Sequence, residues 1–466
     1  MREMSVGEIA AVLGAEVRSS RSIEVVSGVS TDSRTVKEGD CFFAIAGENF
    51  DGHDYIEDVF ARGAACAVAS RETGFEPASG KAILKVEDTI RALGELARYY
   101  RETCGFKVVA ITGSVGKTTT REIVAHVLGS RFRVRQSPKS FNNNIGVPLT
   151  LLGAEADTEV VVAEIGTNHP GEIRYLTEIA LPDIAVVTNV YPAHLEGFGS
   201  VEAIAEEKLS ISAGLHSKGS LLVNGDFPML VGRCGDEERM KTFGRTEGCD
   251  YRIEGARCEG VGSRFEVAGR EIRLGLAGMG NVNNAGAAWA ICSELGMGVE
   301  EFAKALETMP AVSMRAEMVK IGSLTVLNDC YNANPASMRN ALDILRGIEP
   351  EGDGRRVFVC GDMAELGEQS EQLHRELGAE IVKADVDVVV CVGRLAAIAG
   401  EQAKQYAEAQ GRSVRTESFE SAGQACDKLD DLIENYDIIL VKGSRLAGLE
   451  RIVEKLKEQY SQCTAG

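Results

Sequence analysis

Runs of apolar residues too continuous to face water on either side recur along this chain, and helical spacing follows each of them. In the middle of the chain these runs are "VVAIT" from Val108, "EVVVAEIG" and "DIAVVTNV". After the first, Ile123, Val124, Val127 and Leu128 mark one face of a helix. Buried strands alternating with helices predict a parallel sheet covered on both faces. The alternation returns nearer the end, with "LTVLND", "RVFVCGD", "DVVVCVG" and "DIILVKG" as strands and "RELGAEIVKA" and "LAGLERIVEKLKEQY" as helices. Near the start, shorter strands ("DCFFAIAG", "ACAVAS", "KAILKV") mix with the helices "EIAAVLG" and "DTIRALGELARYYRE". "RFEVAGREIRLGL" alternates about Ala268 and Gly269 and reads as a hairpin, before "NVNNAGAAWAICSELG" returns to helix.

The expected fold is α/β in three domains, which suits a chain of 466 residues. Residues 1–102 form a mixed α/β N-terminal domain. Residues 103–312 form a central doubly wound sheet with a phosphate loop, and 313–466 a C-terminal Rossmann-like doubly wound sheet. No Gly-x-Gly-x-x-Gly follows the first strand of the third domain, so any nucleotide contact there is made by other means.

Composition removes several classes of function. A net charge of -20 argues against a nucleic-acid binder or a protein docked on anionic lipid, so any anion site must be locally basic. The 12 cysteines are scattered, with no Cys-x-x-Cys, and imply neither a zinc site nor a disulfide framework. "MREMSVGEIAAVLG" lacks the apolar core of a signal peptide, and no apolar run approaches a membrane span. A cytoplasmic monomer is expected.

The chemistry concentrates at "TGSVGKTT". Thr112, Gly113, Ser114, Val115, Gly116, Lys117, Thr118 and Thr119 join a buried strand to a helix N-terminus, where backbone amides and the helix dipole converge on an anion. Only two residues separate the glycines, where the usual phosphate loop has four. Lys117 supplies a point charge, and the Thr118 hydroxyl suits a Mg2+ ion bridging phosphates. Glu164 closes the next strand and His194 follows the one after, so both belong at the same crevice of a parallel sheet. Taken singly, each reads more readily as an ordinary hydrogen-bonding side chain; together, at neighbouring strand ends, they suit a metal. Lys208, after Glu206 and Glu207 on a helix, reads by itself as part of a solvated face.

The motifs "TGSVGKTTTRE", "SFNNNIGVPLTLL", "EIGTNHPGEI", "VTNVYPAHLEGFGS", "YNANPASM", "GDMAELGE" and "LVKGSR" together resemble the Mur ligase family. "TDSR" through "GENFDGHDYI" is similar to that family's UDP-binding domain, so the likeness spans all three blocks. Within the family the motifs look most like the member that joins D-alanyl-D-alanine to UDP-N-acetylmuramoyl-tripeptide. The resemblance implies that ATP occupies the loop and that Thr118 and Glu164 hold one Mg2+. It implies His194 as a ligand of a second metal and Lys208 as a lysine carbamylated to a carboxylate-like group. It places Asn281 and Asn284 near adenine, and Arg315 and Asp329 at the γ-phosphate and ribose. Ser33 falls at the uridine nucleotide, Asn143, Asn144 and Thr167 along the muramoyl peptide, and Asn332 and Asn334 among the substrate contacts. The resemblance implies Lys117, His194 and Lys208 as the catalytic group.

Three positions depart from the family pattern: Gly280 in place of a common His, Met314 in place of a commoner Gly, and Asn328 in place of an acid. They bear on adenine and ribose contacts, not on the metal ligands. A sibling adding a diamino acid carries Asp-Asn-Pro-Arg, which this chain lacks, and folate-type ligases lack a domain like the first block. A plain phosphate-loop kinase or NTPase needs no third block, and a non-catalytic sugar-nucleotide binder has no need of Lys117, Glu164 and His194 together.

Overall fold

The strand Lys107–Thr112 is apolar on both faces because it lies at the middle of a sheet with a core on each side. Val108 and Ala110 point into one core, and Val109 and Ile111 into the other. In this computed structural model, which describes residues 1–19, 25–193, 195–235 and 238–460, that strand is fifth in a seven-stranded parallel sheet. Its neighbours are Val160–Glu164 and Ile184–Val187. Register sets Ile111 beside Glu164 and Thr112 beside Val187, so three strand ends open on one crevice.

The hairpin forms as expected, from Gly262–Val267 and Arg270–Leu274 around Ala268 and Gly269, and Glu254–Glu259 completes a three-stranded antiparallel sheet. The helix Met279–Glu294 packs between this sheet and the phosphate-loop helix Lys117–Leu128, and its run of small residues allows the close approach. At Gly286 a Cβ would lie 2.1 Å from Ile253 Cδ1.

The N-terminal sheet has five strands, parallel except where Glu16–Ser19 runs against Ala82–Lys85. The helix Thr89–Cys104, capped by the Asp88 carboxylate on the amides of Ile90 and Arg91, buries Leu93, Leu96, Ala97 and Tyr100. Burying a side chain of this size contributes about 1.5–3 kcal/mol. These residues pack against the central domain as well as their own sheet, and the Tyr100 hydroxyl donates to Ala154 O at 2.6 Å. The boundary expected after residue 102 therefore falls in the last turn of a helix that both domains share.

The C-terminal sheet has six strands in the order Glu317–Ile321, Leu324–Asn328, Ile438–Lys442, Arg356–Gly361, Val388–Val392 and Arg415–Phe419. The first pair is antiparallel and the rest are parallel. The final helix starts later than its apolar spacing suggests. Gly448, at φ 61, ends a short turn over Arg445–Ala447, and the helix proper is Glu450–Tyr460. Among the described residues no helix is long and apolar enough to cross a membrane.

Candidate active site

The phosphate loop is stapled to the end of the adjacent strand. Val115 N–H donates to Asn189 Oδ1 at 2.9 Å, while Asn189 Nδ2 and the Thr188 hydroxyl both donate to Val115 O. The Ser114 hydroxyl donates to Tyr191 O and accepts from Tyr191 N–H. Both loop glycines are sterically required. A Cβ at Gly113 would lie 1.9 Å from Thr188 Oγ1, and one at Gly116, where φ is +85, would lie 2.2 Å from Asn284 Oδ1. The loop backbone thus runs directly against the Thr188 and Asn284 side chains.

Gly116 precedes the first turn of Lys117–Leu128, whose amides open on a cavity of about 950 Å³. Residues 114–119 line this cavity from the central domain, and Arg315, Asp329 and Lys442 line it from the C-terminal domain. Lys117 Nζ donates to Gly113 O at 2.7 Å. Burial holds the Lys117 ammonium below its ordinary range, Glu164 opposes that shift and Arg315 adds to it. Thr112 lies under the loop, with its hydroxyl buried and without a partner among the described residues.

Thr118 Oγ1 donates to Glu164 Oε2 at 2.9 Å, and Asn142 Nδ2 donates to Glu164 Oε1 at 2.9 Å. Arg121 Nη1 lies 3.6 Å from the same carboxylate, and both side chains are 2% exposed. A hydroxyl and a carboxylate are hard oxygen donors. Among the described residues no cluster of three or more His, Cys, Asp and Glu side chains forms a metal cage. That donor set fits Mg2+, which takes one or two protein oxygens and completes its shell with phosphate and water. His194 lies outside the described residues.

The structure corrects the solvated-face reading of Lys208. It is 2% exposed, because Val201–Leu209 turns Ile204, Ala205 and Lys208 inward on one face. Burial, with Lys117 nearby, drives the Lys208 ammonium well below its usual value, and Glu207 opposes the shift. Lys208 is not among the residues that line the cavity. Glu207 accepts from the amides of Gly171 and Ile173 at the start of the helix Glu172–Ala180, a favourable place for a negative charge.

Asn281 and Asn284 line the cavity but bond within the protein. Asn281 Nδ2 donates to Ala277 O, Asn284 Nδ2 donates to Asn281 Oδ1, and Asn284 Oδ1 accepts from the Thr120 hydroxyl. Asn143 and Asn144 also line it, and Asn143 Oδ1 accepts from the amides of Ile145 and Gly146. The Thr167 hydroxyl donates to His169 O at 2.9 Å. Asn332 lines the wall, and Asn334 Oδ1 accepts from Ser337 N–H as the cap of Pro335–Arg346. Ser33 lies outside the cavity, in the N-terminal domain.

Of the three departures, Gly280 has a steric cause, while Met314 and Asn328 share one carboxylate partner. Gly280 N–H donates to Asn340 Oδ1 at 3.1 Å, and a Cβ there would approach that oxygen to 2.7 Å. Met314 has φ 55 and donates its N–H to Glu317 Oε2, which also accepts from Asn328 Nδ2.

Four residues escaped sequence reasoning. Lys442 Nζ donates to Asp329 Oδ2 at 2.6 Å and is 2% exposed; a lysine ending the apolar run "IILVK" was its signal. Tyr331 lies under the Arg315 guanidinium, 4.2 Å from ring centroid to Cζ. Arg121 sits among polar residues that look solvated, and Asn189, at the end of the apolar run "DIAVVTNV", carries no local mark of the loop it holds.

Three family models match the chain: the Mur ligase family catalytic domain over residues 25–101, the Mur ligase middle domain over 111–292, and the Mur ligase glutamate ligase domain over 314–445. The chain belongs to the Mur ligase family. It is 38% identical over 440 residues to the UDP-N-acetylmuramoyl-tripeptide--D-alanyl-D-alanine ligase of Bacillus subtilis, covering 93% of this chain and 94% of that one. A crystal structure of MurF from Acinetobacter baumannii superposes with a TM-score of 0.89 at 30% identity, over 98% of this chain and 100% of that one. MurF ligase from Thermotoga maritima in complex with ADP gives a TM-score of 0.81 at 28% identity, over 94% and 98%.

Proposed function

We propose that this chain is an ATP-dependent amide ligase that joins D-alanyl-D-alanine to UDP-N-acetylmuramoyl-tripeptide, giving the pentapeptide precursor for peptidoglycan synthesis. The observation that carries the reading is the cavity itself. It is walled by the phosphate loop on one side and by Arg315, Asp329, Asn332 and Lys442 of the C-terminal domain on the other, in a chain 38% identical to a relative of that name.

In the proposed reaction the terminal carboxylate of the tripeptide attacks the γ-phosphorus of ATP and releases ADP. The amine of D-alanyl-D-alanine then attacks the resulting acyl phosphate, loses a proton and expels inorganic phosphate. Lys117 and the helix amides offset the charge of the triphosphate, and Arg315 reaches the same point from the other domain. Thr118 and Glu164 would hold Mg2+, with His194 and a carbamylated Lys208 serving a second ion. Bound there, Mg2+ supplies Lewis-acid neutralisation of the phosphate oxygens. The depressed Lys208 ammonium favours the neutral amine that carbamate formation needs.

Asn284 serves the nucleotide by bracing Gly116, and Asn281 by bracing Asn284. Asp329, held by Lys442, would contact the ribose. Asn143, Asn144 and Thr167 lie along the muramoyl peptide, Ser33 serves the uridine end, and Asn332 and Asn334 flank the incoming dipeptide. The protein works in the cytoplasm as a monomer, with the domains divided near residues 102 and 312. Mass spectrometry of UDP-muramoyl-tripeptide incubated with ATP, Mg2+ and D-alanyl-D-alanine tests the reading, which requires a product heavier by the dipeptide less one water.

A further inference from the structure

Arg315 is held by an unusual amount of structure for one side chain at a domain junction. The residues on either side of it, Met314 and Ala316, have φ values of 55 and 52, a left-handed conformation that costs a side-chain-bearing residue energy and persists only where neighbours enforce it. Two carboxylates do so: Glu317 accepts from Met314 N–H at 3.0 Å, and Asp329 accepts from Ala316 N–H at 3.1 Å. That fixes where Arg315 leaves the backbone but not where its long side chain ends.

The head group is placed by a second set of contacts. The Arg315 guanidinium lies over the Tyr331 ring at 4.2 Å, and its Nη2 donates to Thr118 Oγ1 at 3.3 Å, in the first turn of the phosphate-loop helix. The Tyr331 hydroxyl pairs with Ser140 Oγ, in the segment after Val134–Gln136, the edge strand of the central domain's sheet. Tyr331 therefore touches Arg315 through its face and the central domain through its hydroxyl.

We infer that Tyr331 is a positioning residue: its ring holds Arg315 over the phosphate loop, and its hydroxyl contact with Ser140 ties that placement to docking of the C-terminal domain on the central one. The inference rests on the ligase reading for its kinetic consequences, though not for the geometry. A cation above an aromatic face gains more as water is excluded, and the Arg315 and Tyr331 side chains are both half-buried. With the C-terminal domain away, Ser140 and Thr118 are both lost to Tyr331 and Arg315. The arginine then cannot complete the phosphate site before the domains meet.

The test is a pair of double-mutant cycles on the full chain. Tyr331→Phe and Ser140→Ala each remove one side of the hydroxyl contact and should each lower kcat about threefold to tenfold, with KM for UDP-muramoyl-tripeptide unchanged. The double variant should be no slower than the slower single one. Tyr331→Leu removes the ring and should cost about thirtyfold, and in an Arg315→Ala background it should cost nothing further. Tyr331→Phe preserves the packing if Tyr331→Leu does not fold. Calorimetric ATP affinity repeats the Arg315–Tyr331 cycle without turnover, so absent ligation by the wild type would sink the ligase reading alone. Multiplying effects in both cycles, or wild-type kcat and ATP affinity in Tyr331→Leu, would overturn the assignment.

Discussion

The Thr118 hydroxyl and the Glu164 carboxylate meet at 2.9 Å, joining the first turn of the phosphate-loop helix to the end of the neighbouring strand. Parallel register makes this possible, since Glu164 pairs with Ile111, two residues before the loop begins at Gly113. The two oxygens best suited to a hard cation are thereby fixed beside the amides that receive the phosphates.

Glu164→Gln and Lys117→Ala should each lower kcat by about a hundredfold or more, the usual cost of removing one electrostatic stabiliser of a transferring group. The glutamine keeps neutral contacts to Thr118 and Asn142 but leaves Arg121 facing no charge at that point. Circular dichroism should show both variants folded. Near-normal kcat in Lys117→Ala would remove the loop from the chemistry.

Gly116→Ala tests the loop's geometry. The added methyl group would sit 2.2 Å from Asn284 Oδ1 at a φ of +85, so the loop or the asparagine must move. A stability loss of about 2 kcal/mol or more is expected, together with loss of measurable ATP binding by calorimetry. An unchanged melting temperature and affinity would show that the loop is softer than its contacts imply.

Lys208→Ala should be nearly inactive and partly rescued by added formate or acetate, whose carboxylate can occupy the space of a carbamate. The burial of Lys208 and its depressed ammonium make an unmodified, charged lysine costly there. Loss of activity without rescue at any carboxylate concentration would argue for packing alone, and wild-type kcat would remove the residue from the reaction.

His374 predicts an acid-side loss of stability. It is fully buried, its Nε2 accepts from Met363 N–H at 3.0 Å, and burial lowers its pKa below the ordinary 6.5. Below about pH 6.5 the unfolded chain then binds a proton that the native protein resists. Stability from this group is complete above that pH and falls as pH drops toward the folded value. Urea unfolding at pH 7.5 and 5.5 should show a larger acid loss for wild type than for His374→Gln. Parallel losses would place the acid sensitivity elsewhere.

Much of this was legible in the chain because burial on two faces leaves a plain mark. Lys107–Thr112, Val160–Glu164 and Ile438–Lys442 are central strands, and their apolar runs announce them. Arg415–Phe419 is an edge strand, "RTESF", with polar residues along it, and Glu317–Ile321 sits at the other edge; neither has an uninterrupted apolar run to read. The loop residues were legible because a strand, two glycines and a helix start constrain one another locally. Asn189, Tyr331 and Lys442 act across the fold, at 74, 191 and 113 residues from the partners they bind, and no local pattern encodes such a meeting. Lys208 shows the converse: its acidic neighbours suggest a wet helix face, and only tertiary packing turns it inward.

The most direct measurement of the central claim is phosphate release under omission of each substrate in turn. With ATP, Mg2+, UDP-muramoyl-tripeptide and D-alanyl-D-alanine all present, release should be sustained and match pentapeptide formed one for one. Omitting either acceptor should abolish sustained release, because the acyl phosphate cannot form without the tripeptide and has no productive exit without the dipeptide. Steady phosphate release from ATP and water alone, or sustained turnover with UDP-muramoyl-dipeptide and a diamino acid in their place, would contradict the account.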